Sequence, residues 1–310
     1  MRLIMKLCRC CGRAQFERKE NLRVSPFFAK YGLQLDVFNG LPKEIGLLGR
    51  LRSSHKFLKI FFRPFLFILR LLQLPFRQTI FLPYGYCTNC EFVAPWFEIS
   101  NDQLLDYYTF YLSDSYKKNR LEIEKGYRSV FETHGSRAEF NLRKSDYNNF
   151  ISETLRSLAK DFNVKKLRML DFGGGDSGVQ PDPDLVDCTI FDVGAEFDLE
   201  GDFEKFHFVQ ALHVLEHVGN PLNTFKSAYQ KCILGGLVYV EVPMEHLGFD
   251  HSDEVILPYA CDEHINKFSL KSIIKMGDTS GGEIVLAIQD SIETIHRGET
   301  QVLRLIVRKV

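Results

Sequence analysis

The sequence predicts an α/β protein: a mostly parallel, doubly wound sheet with a C-terminal antiparallel hairpin, preceded by a cysteine-bearing region with a helical insert. Three observations predict it. Apolar runs of strand length alternate with amphipathic helical segments through residues 147–310. The first strand of that stretch runs into four glycines within residues 173–178. Two Cys-x-x-Cys pairs, Cys8/Cys11 and Cys87/Cys90, flank a long basic, phenylalanine-rich stretch.

At 310 residues, with 45% hydrophobic and 25% charged residues, the chain has the composition of an ordinary globular protein with ample core. Its net charge of -1 hides an asymmetry: residues 1–80 hold 16 Lys+Arg against 4 Asp+Glu, the remainder 23 against 36. The basic part suits an anionic partner, such as a membrane surface, a charged glycan or a nucleic acid, or docks on the acidic part of the chain. Met1–Cys8 carries no apolar run of secretory length, so a cytoplasmic protein with reduced thiols is expected.

In a reducing compartment, paired cysteines are more often metal ligands than disulfides. Two thiolates two residues apart grip one ion from a tight turn, and two such turns complete a tetrahedral zinc site. Cys8, Cys11, Cys87 and Cys90 are the candidate ligands of a zinc-ribbon-like region over residues 1–100; Gly12 and Tyr86 suit the two knuckles, and Cys10 is spare. The alternative is a set of partly buried free thiols. Between the pairs, residues 50–77 carry Arg52, Lys56, Lys59, Arg63, Arg70 and Arg77 on one helical line among Phe and Leu. Each charge would cost ~3 kcal/mol at a bilayer centre, so the stretch cannot span. It can lie in the headgroup layer of an anionic membrane, or cap the folded core.

Residues 101–146 read as helices linking two units, with a helix start at Ser100 or Asn101 and little apolar surface in 113–143. Phe150, Ile151, Leu155, Leu158 and Phe162 then define an amphipathic helix leading into a domain over 147–310. Strands are expected at 167–172, 188–193, 206–213, 235–242, 283–290 and 301–309, and helices at 217–232 and 268–277.

Asp171 sits at the carboxyl end of the first strand, beside Gly173 and Gly175, where ligands bind in open α/β sheets. Glycine lets the backbone turn tightly and a ligand lie against it. An acid at this lip disfavours a phosphate and favours a cationic group. Asp192 ends the second strand, placed to accept both hydroxyls of a ribose. The site is therefore read as one for a nucleoside carrying positive charge.

This pattern resembles the class I S-adenosylmethionine (SAM)-dependent methyltransferases, whose first motif is acid-x-Gly-x-Gly; Asp171, Gly173, Gly175 and Asp192 match it. The resemblance implies a Rossmann-like fold and SAM as cofactor. It extends to Glu200-Gly-Asp202, where Asp202 would meet the adenine amino group. Further matches are the fourth strand with its turn, Phe206–Pro221, including His213; the fifth strand, Gly235–Pro243; and Glu263-His264-Ile-Asn-Lys-Phe-Ser269. That last block is typical of a subgroup with an N-terminal two-knuckle zinc module, some members of which methylate carbons of nucleotide-linked sugars. The resemblance thus implies a sugar-like or other small acceptor, and the basic stretch adds the idea of a membrane-proximal glycan precursor at the inner membrane face. No nucleic acid partner is expected. His264, on the side where the acceptor should enter, is the candidate general base; His246, His251 and Tyr259 are weaker candidates. Departures from the family pattern are the short, proline-bearing connection at 179–185 and the missing second helix between Asp192 and Phe206. A silent module that has lost SAM and an NAD-dependent oxidoreductase are the alternatives. A zinc peptidase is a remoter one, since His213-Val-Leu-Glu216-His217 also fits H-x-x-E-H.

Overall fold

The computed structural model describes residues 6–35, 41–42, 80–110, 113–128, 137–174, 179, 181–191, 205–245, 262–295 and 298–310. The basic stretch 50–77, and the candidates Gly175, Asp192, Asp202, His246, His251 and Tyr259, lie outside them.

The N-terminal region is a three-stranded antiparallel sheet, β1 (Phe16–Val24), β2 (Ile80–Cys87) and β3 (Val93–Pro95), with a short helix α1 (Pro26–Tyr31) after β1. Helices α2 (Asn101–Phe110) and α3 (Asp114–Ile123) follow, then the long helix α4 (Arg137–Asp161). The remaining elements are β4 (Leu167–Phe172), β5 (Val186–Phe191), β6 (Phe206–Leu212), α5 (Pro221–Lys231), β7 (Cys232–Pro243), α6 (Leu270–Thr279), β8 (Glu283–Thr294) and β9 (Gly298–Arg308). They form a six-stranded sheet in the order β5-β4-β6-β7-β9-β8. β5, β4, β6 and β7 are parallel, and β9 runs antiparallel to both its neighbours, β7 and β8. The expected mixed sheet with a terminal hairpin is therefore present.

Alternation along each strand divides the sheet into two covered faces. Leu167, Met169, Phe208, Leu237, Tyr239 and Ile306 face α4, which presents Tyr147, Ile151, Leu155 and Leu158. Leu170, Phe172, Val209, Val238, Val240, Leu303 and Leu305 face the opposite way, against Phe225 and Ala228 of α5 and Ile273 and Met276 of α6. Each such aliphatic or aromatic side chain contributes roughly 1.5–3 kcal/mol by leaving water.

Local chemistry sets the ends of the helices. The helix expected from residue 217 begins at Pro221, because the Asn220 side chain accepts from the Asn223 amide and Pro221 suits the first helical position. α6 starts with a reciprocal pair, Ser269 and Ser272, each side chain bonding the other's amide. Between β4 and β5, the described residues of the short connection form a turn, Leu185 N–H donating to Asp182 O at 2.9 Å.

The cysteine-bearing region packs directly on the large sheet's domain. Cys8, Cys10, Cys11, Cys87 and Cys90 share one core cluster with Leu222, Phe225, Phe268 and Ile273. Backbone bonds join the two parts: Leu222 N–H to Arg9 O at 2.9 Å, and a bridge between Val93 and Lys267. A second cluster gathers Phe27 and Phe28 of α1, Leu104 and Tyr107 of α2, Tyr116 of α3, and Ile265. α3 departs from the exposed helix that its polar sequence suggests. It buries Tyr116 and Arg120, because Arg120 finds two carboxylates: Glu124 at 2.7 Å and Glu263 at 2.6 Å. Among the described residues no helix is long and apolar enough to cross a membrane.

Candidate active site and candidate metal centre

The chain passes from β4 to β5 on one side and returns to β6 on the other, so the carboxyl ends of β4 and β6 flank the point where strand order reverses. That is where open α/β sheets bind ligands. Asp171 and Gly173 stand at one lip and His213 at the other. Gly173 has φ +84° and donates to Phe191 O at 2.6 Å. A Cβ there would come within 2.7 Å of Val214 Cγ2, so glycine is required both by conformation and by the turn that follows β6. A Cβ on Gly174 would fall 2.1 Å from Asp171 Oδ2. The glycine turn therefore lies directly over the carboxylate.

Asp171 is 1% exposed, and its Oδ2 has no hydrogen-bond partner among the described residues. Burial pushes its pKa up to about 6, against the opposing pull of Gln210. Pleating explains why polar groups collect here: Asp171, Gln210, Glu241 and Arg304 continue, toward the carboxyl ends of the parallel strands, the face that is apolar beneath α4. Tyr147 of α4 donates to Gln210 Oε1. Arg304 bonds Glu241 at 2.9 Å, Asp290 at 2.5 Å, and Asp146. Tyr239 donates to Glu241 at 2.7 Å, so Tyr239 and Glu241 belong to the supporting structure.

His213 holds a left-handed conformation, φ +53°, that side chains seldom adopt. Its amide continues the ladder to Glu241 O at 2.9 Å, while its ring lies between two carboxylates, Glu241 at 3.2 Å and Glu216 at 3.3 Å. Burial opposes a charge on this imidazole, yet the two acids raise its pKa overall. The His213–His217 segment is a turn, not a helix. The H-x-x-E-H peptidase arrangement, which needs both histidines on one helical face, is therefore not formed.

From His213 the polar groups run outward. Glu216 is fully buried, and neither oxygen receives a hydrogen bond among the described residues. Burial would raise its pKa, but the histidines around it, His213 foremost, bring it down to about 2. His217 Nε2 lies 3.9 Å from Glu216 Oε1. Its Nδ1 meets Tyr108 Oη at 2.6 Å and Glu263 O at 3.0 Å, and burial lowers its pKa to about 4. The His264 ring stands 4.8 Å from that of His217, edge to face, with Nδ1 bonded to Glu245. Lys267 also pairs with Glu245, and Arg120 anchors Glu263. Asp171, Gly173 and His213 thus stand at the carboxyl ends of β4 and β6, and His264 is linked to His213 through Glu216 and His217.

Sequence reasoning missed Tyr108, Glu245 and Arg120, and met Glu216 and His217 only within the peptidase pattern. Glu245 could have been found, since it follows the end of β7 as Asp171 ends β4. Tyr108 carries no local signal.

The four cysteines form the candidate metal centre. All are buried and their sulfurs lie within 4.8 Å of one another. Cys8–Cys90 and Cys11–Cys87 are each 3.7 Å apart. Zinc–sulfur bonds of about 2.3 Å at tetrahedral angles place sulfurs about 3.8 Å apart, so the cluster already has the dimensions of a tetrahedral thiolate site. The two knuckles are alike. Gly12 N–H closes on Cys8 O at 2.9 Å, and Glu91 N–H on Cys87 O at 2.7 Å, with φ +69° and +65° at the closing residues. Donors support the sulfurs: Cys10 N–H to Cys8 Sγ and Asn89 Nδ2 to Cys11 Sγ, both at 3.4 Å. Hydrogen bonds from Cys8 and Cys90 hold Cys87 down to about 2, whereas Cys8 and Cys90 are pushed up. Cys10 instead donates to Ser272 O at 3.3 Å.

Residues 143–287 match a family model described as a methyltransferase domain. These residues are therefore a methyltransferase domain, a span that holds β4–β7, α5, α6, most of α4 and the start of β8. Similar solved structures include magnesium protoporphyrin IX methyltransferase from Synechocystis PCC 6803 with bound SAH, at 12% identity, covering 64% of this chain and 100% of that one, TM-score 0.36. A SAM-dependent methyltransferase from Methanosarcina mazei is 11% identical, with 49% and 97% covered and TM-score 0.34. TehB from Haemophilus influenzae is 13% identical, with 53% and 67% covered and TM-score 0.33. None of the curated proteins compared matches the chain.

Proposed function

We propose that the protein moves a methyl group from SAM to a sugar-like or other small acceptor, with the four-cysteine cluster holding a structural zinc ion. The observation that carries the cofactor part is the buried carboxylate of Asp171 beside Gly174 at the switch point, whose Oδ2 receives no hydrogen bond among the described residues. A cationic nucleoside supplies the partner that this acid lacks; a phosphate would add repulsion. Bound SAM supplies an electrophilic methyl carbon on its sulfonium. Asp171, Gly173 and His213 border its place, and Gly175, Asp192 and Asp202 take the roles that the family pattern gives them.

The acceptor side is the group of Glu216, His217 and His264. His264 is the proposed base. Glu245 at its Nδ1 fixes one tautomer, leaves Nε2 to take the acceptor's proton, and balances the imidazolium that results. His217, held neutral by burial, orients the acceptor by a hydrogen bond. Positioning supplies most of the acceleration in an in-line transfer, so these restraints matter more than any one proton. Cys8, Cys11, Cys87 and Cys90 would hold zinc away from the reaction, tying residues 6–16 and 87–93 to the domain. The basic stretch 50–77 would bring the protein to an anionic membrane carrying a glycan precursor.

The test is transfer of labelled methyl from SAM to a panel of nucleotide-linked sugars. His264→Ala should abolish transfer while keeping SAM binding. Equal transfer by wild type and variant removes His264 from its role, and SAM binding without transfer to any panel member leaves the acceptor class unsupported. Flotation with anionic vesicles at low salt tests the membrane part, and no binding removes it.

A further inference from the structure

Three side chains with potential metal-ligating atoms converge beside one another: Glu216, His217 and His264. Glu216 is fully buried, and its oxygens receive no hydrogen bond among the described residues. A nitrogen of His217 and a nitrogen of His264 lie with a Glu216 oxygen inside a 4.8 Å span. Both imidazoles have their Nδ1 engaged by oxygen: His217 by Glu263 O at 3.0 Å and Tyr108, His264 by Glu245. An Nδ1–H that donates to an oxygen leaves Nε2 with a bare lone pair, and such outer bonds characteristically fix histidines that ligate metals. His217 Nε2 already faces Glu216 Oε1, at 3.9 Å. The facing groups do not resolve the frustration. His213 Nδ1 lies 3.3 Å from Glu216 Oε1 while its Nε2 faces Glu241, so Glu216 Oε2 is the oxygen that His213 leaves unmet. Lys267 pairs with Glu245. Asn266 sends its amide group to Leu215 O and Val218 O.

We propose that Glu216, His217 and His264 form a binding site for a first-row divalent cation, separate from the four-cysteine cluster. Two imidazoles and one carboxylate are a donor set that suits zinc, iron(II), cobalt(II) or manganese and leaves coordination positions open. Metal–ligand bonds of about 2.1 Å require donor separations of roughly 3.0–3.4 Å, so the widest separation in the group shortens by up to about 1.4–1.8 Å around the ion. The ion would stand where the acceptor's donor group is expected, which is the one respect in which this inference rests on the functional reading above. Cation and acceptor proton then contend for the same lone pair on His264.

Equilibrium dialysis of the full-length protein in micromolar zinc tests the site. Wild type should hold about two equivalents, and Glu216→Gln and His217→Ala about one each. Cobalt substitution distinguishes the clusters: thiolate-to-cobalt absorption from the cysteines should persist in His264→Ala, and a weak visible band of a nitrogen–oxygen site should vanish. One equivalent in wild type, or two retained in both variants, overturns the proposal. Cys87→Ser, which should lose the other equivalent, keeps the assignment of each ion separate. SAM binding, measured on the same preparations, decides the cofactor reading independently of this result.

Discussion

The four-cysteine cluster and the cleft beside β4 and β6 are both buried and both polar, yet they answer differently to the question of where each polar atom finds its partner. In the cluster, sulfurs meet sulfurs at 3.7 Å and two neighbouring N–H groups point at Cys8 and Cys11. Beside β4 and β6, Asp171 Oδ2, both Glu216 oxygens and Asn266 Oδ1 receive no hydrogen bond among the described residues, and His213 holds an unfavourable φ. Leaving a buried polar atom unmet costs about 1–3 kcal/mol. The first arrangement holds two chain segments in place; the second keeps a cost that a ligand can remove. The difference separates a scaffold from a site without reference to any relative.

Four substitutions should break or sharpen that contrast. The largest effect is expected of Cys87→Ser. Structural zinc sites contribute on the order of 10 kcal/mol or more of folding free energy. The variant should lose its zinc and its cooperative thermal transition, which metal analysis and calorimetry would read; an unchanged transition would mean the sulfurs hold no structural ion. Arg120→Ala comes next. It leaves Glu263 and Glu124 buried without their cation, and removing one partner of a buried pair costs about 3–5 kcal/mol. Chemical denaturation measures it.

Asp171→Asn separates stability from binding. The acid is raised from 3.8 to about 6 in the folded protein, so the folded state binds the extra proton. Without cofactor, stability should fall as pH rises from about 4 to 6, and Asp171 should cost up to roughly 3 kcal/mol above that window. Asp171→Asn should therefore be more stable than wild type at pH 7, equal to it below pH 4, and poorer at binding SAM. Denaturation curves at the two pH values check the sign. The smallest effect belongs to Gly174→Ala, whose Cβ pushes the Asp171 carboxylate aside. SAM affinity should drop several-fold, with stability changed by about 1 kcal/mol or less.

Most of the sheet was legible in the sequence, because strand pattern and strand ends are local. β4 falls at the expected residues 167–172, and β5, β6, β8 and β9 differ by a few residues at one end or both. β7 starts at Cys232 because it follows α5 without a loop. The cysteine pairs were legible for the same reason: each knuckle is set by spacing alone, and the structure brings two distant pairs together. Of the proposed acceptor side, only His264 was. Tyr108, Glu216, Glu245 and Arg120 come from α2, the turn after β6, the end of β7, and α3. No sequence window contains more than a fragment of the set. Arg120 in particular sits in a polar helix whose pattern reads as exposed, and only the two carboxylates waiting for it explain its burial.

The central claim is that an acid under a glycine turn selects a positively charged nucleoside. Calorimetric titration of SAM into wild type and Asp171→Asn tests it most directly. The account expects micromolar binding to wild type, weakened at least tenfold in the variant. No heat with wild type, equal affinity in both proteins, or tighter binding of NADH than of SAM would contradict it.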